Sequence, residues 1–413
     1  MASTRRDFLR SAFGASAFVS LAPGAPAVLC RAAQAARRSA TTDTVLVVLQ
    51  LSGGNDGLNT VVPYADDAYG RSRRTLRLGA SDVHRIDARL GFHPAMKAFW
   101  KLYQEGELSV IQGVGYPNSS RSHDPAMRDW HTARPGEAAC QTGWIGRAID
   151  RSDRSGAADV PGVFVGPIAT PFALNAEKAV VPALRSANDW TLRAGAEPAN
   201  TPVREAIARA ASHGNPLADH VRTSTVAAYA ASRCVAEVLR DADRVGEYPP
   251  LGLAAALKTV ALLIRADLGI RIYFVELGGG GIGGFDNHAN QRANHAALLA
   301  QLSESVAAFV RDLKRAGWLD RVVLMTFSEF GRTVGENGRR GTDHGAAAPV
   351  FLAGGRLRGG LIGRHPSLTD LDQNAPKPHT DFRRVYATML DRWLGFDSRA
   401  VLNGAYRPLD VFA

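Results

Sequence analysis

Short apolar runs that alternate with helical segments constrain the fold of this chain more than any other feature. Each run is almost continuously apolar, without the polar alternation of a half-exposed strand, and therefore predicts a strand buried on both faces. The predicted strands are Thr44–Leu51, Leu108–Gln112, Gly162–Val165, Arg271–Val275, Arg321–Phe327 and Pro349–Leu352. Buried strands separated by helices are typical of a three-layer α/β/α sandwich with a mostly parallel central sheet.

Proline, glycine and capping residues mark the helices between these strands. Asp124 is expected to be an N-cap, with Pro125 in the first turn of the helix that follows. The predicted helices are Pro94–Tyr103, one from Asp124, an Ala-rich helical segment over Thr201–Leu268, one over Leu298–Leu313 and one from Thr380 to Leu394.

The N-terminus has the pattern of a twin-arginine export signal. Arg5 and Arg6 precede a weakly apolar stretch, and Ala33-Gln-Ala35 resembles a cleavage site. A membrane anchor is the alternative, but a spanning helix needs about 20 uninterrupted apolar residues, and glycine and proline interrupt this stretch. We therefore expect a leader over residues 1–35 and, after cleavage, no transmembrane segment.

The remaining residues, 36–413, are expected to form a single α/β domain with the Ala-rich segment, residues 201–268, as a helical insertion. The twin-arginine export machinery is then a partner, and the mature protein is periplasmic or secreted. The formal net charge is +10, and the leader has four arginines against one aspartate, which leaves +7. The basic residues are scattered, with no basic helix stripe or interleaved aromatics, so nucleic acid is not expected as a partner. A basic surface favours anionic substrates.

Acids and imidazoles follow four of the predicted strands. Carboxyl ends of parallel strands meet at one edge of a sheet, where ligands bind, so these side chains predict a shared site. Carboxylate oxygen together with imidazole nitrogen is a donor set for a divalent metal. In chain order, the residues are Asp56 after the first strand, Ser120, Ser122 and His123 after the second, Glu276, Asp286 and His288 after the fourth, and Glu329, Asp343 and His344 after the fifth.

Each of these residues also has a structural interpretation. Asp56 lies in a Gly-Gly-Asn-Asp-Gly sequence that is typical of a turn, and Ser122 is a common residue type before a helix. Glu329 is also interpretable as the buried partner of Arg332. The sequence leaves these alternatives open.

Several motifs resemble an exported bacterial family catalogued as domain of unknown function 1501. They span nearly all of the mature chain. The matching segments are Leu49–Asn59, Gly115–Asn118 with Arg121–His123, Gly143–Arg147, Phe285–Gln291, Ser328–Arg332, Gly341–Gly345 and Thr380–Arg383. That family is similar to the alkaline-phosphatase and sulfatase superfamily, which implies an alkaline-phosphatase-like α/β/α sandwich with one or two divalent metals at the sheet edge.

The resemblance also implies roles for individual residues. Asp56, Asp343 and His344 would hold one metal, with Glu329 as the alternative to Asp343. Asp286 and His288 would hold another, either with or without His379, and Glu276 would be an outer or extra ligand. The metal would be zinc, calcium, magnesium or manganese. Ser122 would be the nucleophile, and Arg121 or Arg332 would neutralise the oxygens of the substrate.

Two functions are consistent with these expectations. The first is an exported metal-dependent hydrolase of phosphate or sulfate esters, acting on an anionic small molecule or polymer. The chain has no Cys/Ser-x-Pro-x-Arg stretch, which argues against a sulfatase that uses formylglycine. The second is a non-catalytic exported binding or assembly protein on the same fold.

Overall fold

The computed structural model describes residues 44–151, 162–179, 181, 183–184, 245–267, 269–278 and 284–413. The predicted leader and residues 201–244 of the predicted Ala-rich insertion lie outside this part of the chain. The described part of the insertion contains the helix Gly252–Arg265, which agrees with the helical prediction for that segment.

A nine-stranded sheet forms the centre of the described part of the protein. Its strands are β1 (Val45–Leu51), β5 (Leu108–Gly115), β6 (Gly162–Val165), β7 (Ala183–Leu184), β8 (Ile272–Leu277), β9 (Val322–Phe327), β10 (Ala348–Gly354), β11 (Gly360–Ile362) and β14 (Thr380–Asp381). Their order is β11-β5-β10-β9-β1-β8-β6-β7, with β14 paired to β5. Strand β10 is antiparallel to β5 and β9, and every other pair in this sheet is parallel. The predicted mostly parallel sheet is confirmed.

Two small sheets lie outside the central one. The first contains β2 (Val61–Val62), β3 (His84–Arg85) and β4 (Gly91–Phe92), and the second is the hairpin of β12 (Leu371–Asp372) and β13 (Ala375–Pro376). Neither is long enough to appear as a continuous apolar run, so the sequence patterns did not indicate them.

Helices cover both faces of the central sheet. Their bounds are α1 (Gly57–Thr60), α2 (Asp67–Ser72), α3 (Lys97–Gln104), α4 (His123–Thr132), α5 (Trp144–Asp150), α6 (Gly252–Arg265), α7 (Gln291–Arg315), α8 (Phe382–Ala387) and α9 (Ser398–Leu402). A π-helical segment, Thr388–Leu394, continues α8. None of the described helices is long and apolar enough to span a bilayer.

Strand β1 shows how the two cores form. Val45, Val47 and Leu49 pack in the core that includes α3, α6 and α7, whereas Leu46 and Val48 pack in the core that includes α4, α5, α8 and α9. All five side chains are buried, and burial of each aliphatic side chain stabilises the fold by about 1.5–3 kcal/mol. The strand is therefore apolar throughout because both of its faces meet helices, which confirms the α/β/α sandwich.

The start of α4 differs from the prediction by two residues, which matters for the site. The N-cap is Ser122, with an extended backbone at φ −107° and ψ 139°, and the helix begins at His123. Asp124 and Pro125 lie inside the first turn, where the missing N–H of proline needs no partner. The prediction of Asp124 as N-cap is therefore wrong, and His123 lies on the first turn.

Candidate metal centre

The loops that follow β1, β8 and β9 meet at one edge of the sheet. Leu51 and Leu277 are paired in register at the ends of β1 and β8, and Gln50 is paired with Phe327 of β9. An isolated antiparallel bridge between Arg332 and His344 brings the Thr342–Gly345 segment back to this edge. The strand-end rule therefore holds for these loops, and their polar side chains lie together.

Three imidazoles and one carboxylate converge there, and we call His123, Asp286, His288 and His344 the metal-centre cluster. Asp286 Oδ1 lies 3.0 Å from His288 Nε2 and 3.1 Å from His344 Nε2. Asp286 Oδ2 lies 3.5 Å from His123 Nε2. One ligand atom each of His123, Asp286 and His344 lies within 4.8 Å of the others. His123, Asp286 and His344 are therefore close enough to share one ion, and His288 Nε2 lies beside this trio next to Asp286 and His344.

The outer ring nitrogen of each imidazole contacts an oxygen that can only accept a hydrogen bond. These partners therefore place a hydrogen on each Nδ1 and leave each Nε2 with a lone pair that faces the cluster. The contacts are His344 Nδ1 to the Arg121 carbonyl oxygen at 2.6 Å, His123 Nδ1 to Glu329 Oε1 at 2.9 Å and His288 Nδ1 to Asp343 Oδ1 at 3.3 Å.

Two of the inner nitrogens lie close enough to each other to share a proton or a metal ion. His288 Nε2 and His344 Nε2 lie 2.9 Å apart, and two lone pairs at that distance repel unless a proton or a metal ion lies between them. Three imidazole nitrogens and a carboxylate oxygen are a donor set that suits zinc and other first-row transition metals better than calcium or magnesium, which prefer all-oxygen sites.

The charge states of Asp286 and His344 suit metal binding. Burial alone would raise the pKa of Asp286, but the Arg332 guanidinium, through its hydrogen bond and its charge, and the neighbouring imidazoles of His344 and His288 lower it to about 2. The carboxylate is therefore ionised at neutral pH. Burial lowers the pKa of His344, which keeps that imidazole neutral and able to coordinate. The hydrogen bond to Glu329 raises the pKa of His123.

Glu329 and Asp343 orient histidines instead of facing the centre of the cluster. Glu329 is buried, and its Oε1 also accepts a hydrogen bond from the Gly53 amide at 2.8 Å. Asp343 accepts a second hydrogen bond from Asn337 Nδ2 at 3.0 Å. The sequence left open which of these two acids is a ligand, and the structure places both behind an imidazole.

Asp56 is held by a buried arginine, contrary to its prediction as a ligand. Arg73 Nη1 and Nη2 donate to its two oxygens at 2.6 Å and 2.9 Å, and Gln291 Nε2 donates at 2.5 Å. Its Oδ1 also caps α1. Burial would raise the pKa of Asp56, but the Arg73 charge and hydrogen bonds lower it to about 2. That Asp56 shares a metal with Asp343 and His344 stays a prediction, and in the structure both of its oxygens are bound by Arg73 and Gln291.

Glu276 and His379 also lie outside the cluster. Glu276 Oε1 accepts from Ser52 Oγ at 2.5 Å, and burial raises its pKa. His379 packs over the backbone of β5, where its ring occupies the space that a Cβ on Gly113 would fill. Gly113 has φ +60°, a conformation that favours glycine. The structure therefore gives both residues structural contacts in place of the ligand roles that the resemblance implied.

Arg332 connects the loops of the site and does not face a substrate. Its side chain is fully buried, and all of its nitrogens donate to protein oxygens. The acceptors are the Gly53, Gly54, Phe285 and Thr342 carbonyls and Asp286 Oδ1. Each guanidinium nitrogen of Arg332 thus has a protein acceptor, and the contact with substrate oxygens stays a prediction that this buried geometry does not favour.

Arg121 is directed away from the cluster as well. Its Nη1 and Nη2 donate to the Gln373 and Asp372 carbonyls of the β12–β13 hairpin at 2.9 Å and 2.6 Å. The backbone of Arg121 contributes to the site through the carbonyl that holds His344. The predicted contact between its guanidinium and a substrate is therefore not supported by the structure.

Ser122 lies between two residues that build the site. Its neighbour Arg121 holds His344, and its other neighbour is His123. Ser122 is exposed, and within the described part of the chain its hydroxyl has no hydrogen-bond partner. His123 was grouped with this segment from the sequence but was not predicted as a ligand. Its position next to a predicted nucleophile was the available indication.

Comparison with known proteins gives one family. The model of the family described as "Protein of unknown function (DUF1501)" matches residues 80–406. The chain belongs to the DUF1501 family. No curated protein matches this DUF1501 sequence.

Solved structures that resemble this DUF1501 chain share about a tenth of its sequence. The C-terminal periplasmic domain of EcEptC from Escherichia coli, in complex with Zn, is 11% identical, with 77% of this chain and 74% of that chain covered at a TM-score of 0.38. A protein in the alkaline phosphatase superfamily from Vibrio parahaemolyticus is 9% identical, with 93% of this chain and 79% of that chain covered at a TM-score of 0.37. The PsFucS1 sulfatase from Pseudoalteromonas sp. is 11% identical, with 93% of this chain and 74% of that chain covered at a TM-score of 0.38. Likenesses at this level carry no argument about activity.

Removal of the charge behind His288 is expected to weaken metal binding without abolishing it. Asp343→Asn retains the shape of the side chain but loses the carboxylate that polarises His288, and the loss of such a partner lowers metal affinity about 10–100-fold. Competition with a fluorescent zinc chelator measures this. Asp67→Asn is the control, because Asp67 is an exposed carboxylate on α2. Equal affinities for Asp343→Asn and Asp67→Asn would contradict the orienting role.

Proposed function

We propose that this chain is an exported metal-dependent hydrolase of phosphate or sulfate esters. The observation that carries the proposal is the convergence of three Nε2 atoms on Asp286, with the exposed Ser122 next to His123 in the chain, at the start of α4. The proposal concerns one ion. The acids that the sequence offered for a second ion have other partners, because Asp56 pairs with Arg73 and Glu329 orients His123.

The donor set favours zinc or another first-row transition metal among the ions considered. Such an ion would polarise an ester oxygen and stabilise the charge that develops in the transition state. His123, His288 and His344 would bind it through Nε2, and Asp286 would supply the anionic oxygen. Glu329 and Asp343 would keep the imidazoles in the coordinating tautomer.

Ser122 would supply the nucleophile. Its Oγ would form a bond to the phosphorus or sulfur of the substrate while the bond to the leaving alcohol breaks. The hydroxyl proton would pass to solvent, to which Ser122 is exposed, and the leaving oxygen would take a proton from solvent. The first amides of α4 would face the anionic substrate, because the N-terminus of a helix carries partial positive charge.

Export remains part of the proposal. Arg5 and Arg6 belong to a twin-arginine leader that ends near residue 35, and residues 36–413 would then act as a single domain in the periplasm or outside the cell. The twin-arginine machinery carries folded cargo, which is compatible with metal loading before export.

One observation favours a second candidate, a non-catalytic metal-binding or assembly protein. Structural zinc sites are closed by four protein ligands, whereas catalytic zinc sites keep one coordination position open for water or substrate. Three histidines and one aspartate are four donors, which is the number found in structural sites. The guanidinium groups of Arg121 and Arg332 are also bound to the protein, so neither is available to a substrate.

Ser122→Ala separates the two candidates. If Ser122 is the nucleophile, the metal-loaded variant should lose at least about 10³-fold in kcat/KM on chromogenic phosphate or sulfate esters, with an unchanged metal content. Ser119→Ala, in the same loop, is the control and should retain activity. If the metal-loaded wild-type protein turns over none of these esters, the second candidate replaces the first.

A further inference from the structure

The loop between β9 and the Thr342–Gly345 segment is rigidly attached to the metal-centre cluster. Asn337 is the attachment: its Nδ2 donates to the His288 carbonyl at 3.1 Å and to Asp343 Oδ1 at 3.0 Å. Its Oδ1 accepts from the amides of Arg339 and Gly341 at 2.9 Å and 3.1 Å. One side chain therefore closes the loop on itself and fixes it to two residues of the site.

The same loop is also attached to the start of α7. The Arg339 and Arg340 carbonyls accept hydrogen bonds from the amides of Asn290 and Gln291, both at 3.0 Å. Gly341 packs so closely on His288 that an added Cβ would lie 2.3 Å from the His288 carbonyl carbon. The loop tip is therefore held in one position relative to the cluster, and whatever it presents to solvent is presented at a fixed place.

This tip presents two adjacent arginines, which we call the arginine rim, Arg339 and Arg340. Both are exposed, and neither has an ion-pair or hydrogen-bond partner for its guanidinium among the described residues. Arg340 has φ +59°, a conformation that residues with long side chains rarely adopt and that tends to be kept at functional positions. Arg339 lies near the site, because its amide donates to Asn337 Oδ1 while Asn337 Nδ2 donates to Asp343 Oδ1 and to the His288 carbonyl.

We propose that the arginine rim binds a second anionic group of the substrate, so that the substrate of the metal centre is a polyanion with repeated phosphate or sulfate groups. This inference rests on the proposed function for the reaction at the metal, which is hydrolysis of an ester. Binding of an anionic group by the arginine rim does not itself require hydrolysis. Two guanidinium groups without partners match anionic oxygens well, because their planar forks donate paired hydrogen bonds. The metal-centre cluster would bind one anionic group of the substrate, and the arginine rim would bind a second one.

Binding of a sulfonate polymer tests the proposal, because its carbon–sulfur bonds are not esters. The probe is fluorescein-labelled polyvinylsulfonate, measured against the metal-loaded mature protein by fluorescence anisotropy, with ethanesulfonate as the single-anion comparison. The test variant is the double variant Arg339→Gln/Arg340→Asn, since asparagine tolerates the left-handed conformation at position 340. The control is Arg89→Gln/Arg311→Gln, which removes the same amount of positive charge from two other exposed positions. Arg311 is far from the arginine rim, because it lies about 30 Å along α7 from the end of that helix to which the loop is attached.

The variant Arg339→Gln/Arg340→Asn is expected to weaken polymer binding at least about tenfold, because one to two charged hydrogen bonds are lost. Its binding of ethanesulfonate should be unchanged. The control variant should change polymer binding less than about threefold, through the net charge alone. Equal weakening by the two variants, no effect of the rim variant, or no binding of the polymer by the wild-type protein would overturn the proposal. If the rim effect is present but no ester is hydrolysed, the polyanion site stands and the proposed hydrolase function fails.

Discussion

His344→Ala is expected to remove the metal from the protein. His344 is central to the cluster, because its Nε2 lies 2.9 Å from His288 Nε2 and 3.1 Å from Asp286 Oδ1. Loss of one of four donors should lower affinity by at least about 10³-fold, beyond the 10–100-fold expected for an orienting partner such as Asp343. Metal analysis after dialysis against a weak chelator should give about one equivalent for the wild-type protein and almost none for the variant.

The control for this experiment is His84→Ala. His84 stacks on Trp100, with ring centroids 5.7 Å apart, and its Nε2 contacts the Pro94 carbonyl oxygen, so it takes no part in the cluster. This variant should retain the full equivalent of metal. If His344→Ala also retains it, the ion is held elsewhere and the metal-centre cluster is not a metal site.

Arg73→Met is expected to produce the largest loss of stability. Both members of the Arg73–Asp56 pair are almost inaccessible, with side chains 0% and 2% exposed. Removal of the cation leaves a buried carboxylate without its countercharge, which costs about 3–5 kcal/mol. Urea unfolding of the mature chain measures the change. Arg71→Met on the same helix is the control, because its pair with Asp67 is largely exposed and should change stability by less than about 0.5 kcal/mol.

The double variant Asp56→Asn/Arg73→Met tests whether the two side chains act as a pair. Removal of both charges should restore part of the stability lost in Arg73→Met, since contacting residues typically couple by about 0.5–3 kcal/mol. Asp56→Asn alone should keep its metal. If it stays stable and loses the metal, Asp56 is a ligand after all and the structural interpretation is wrong.

The pH dependence of the same pair follows from the lowered pKa of Asp56. Its pKa is about 2 in the folded chain against an ordinary value of 3.8, so the unfolded chain binds the proton more readily. The pair therefore stabilises the fold fully above about pH 4, and this contribution is lost as the pH falls toward 2. Asp56→Asn should have a flatter decline of unfolding free energy over that range.

The layered fold could be predicted from the sequence because burial on both faces leaves a continuous apolar run. Strand β1 is the clearest case, since each of its faces meets a separate core. The rule that polar residues after parallel strands meet at one edge also predicted that Asp286, His288 and His344 lie together, as they do in the structure. The layered fold and the position of these residues could be predicted because both depend on the local pattern of apolar residues and on the order of strands and helices along the chain.

The partners of individual side chains could not be predicted in the same way. Nothing near Arg73 distinguishes it from the other scattered arginines, so its pairing with Asp56 appears only in three dimensions. The ring orientation that turns Nε2 of His123 inward depends on Glu329, 206 positions away. His379 was placed by the order of ligands in a similar superfamily, and its ring lies on β5 because Gly113 has no Cβ to fill that space.

A crystal structure of the mature protein soaked with zinc, with anomalous scattering recorded at the zinc edge, tests the metal centre most directly. We expect one peak about 2.0–2.2 Å from Nε2 of His123, His288 and His344 and from an oxygen of Asp286. A peak coordinated by Asp56 or Glu276, or no peak within reach of the three imidazoles, would contradict it.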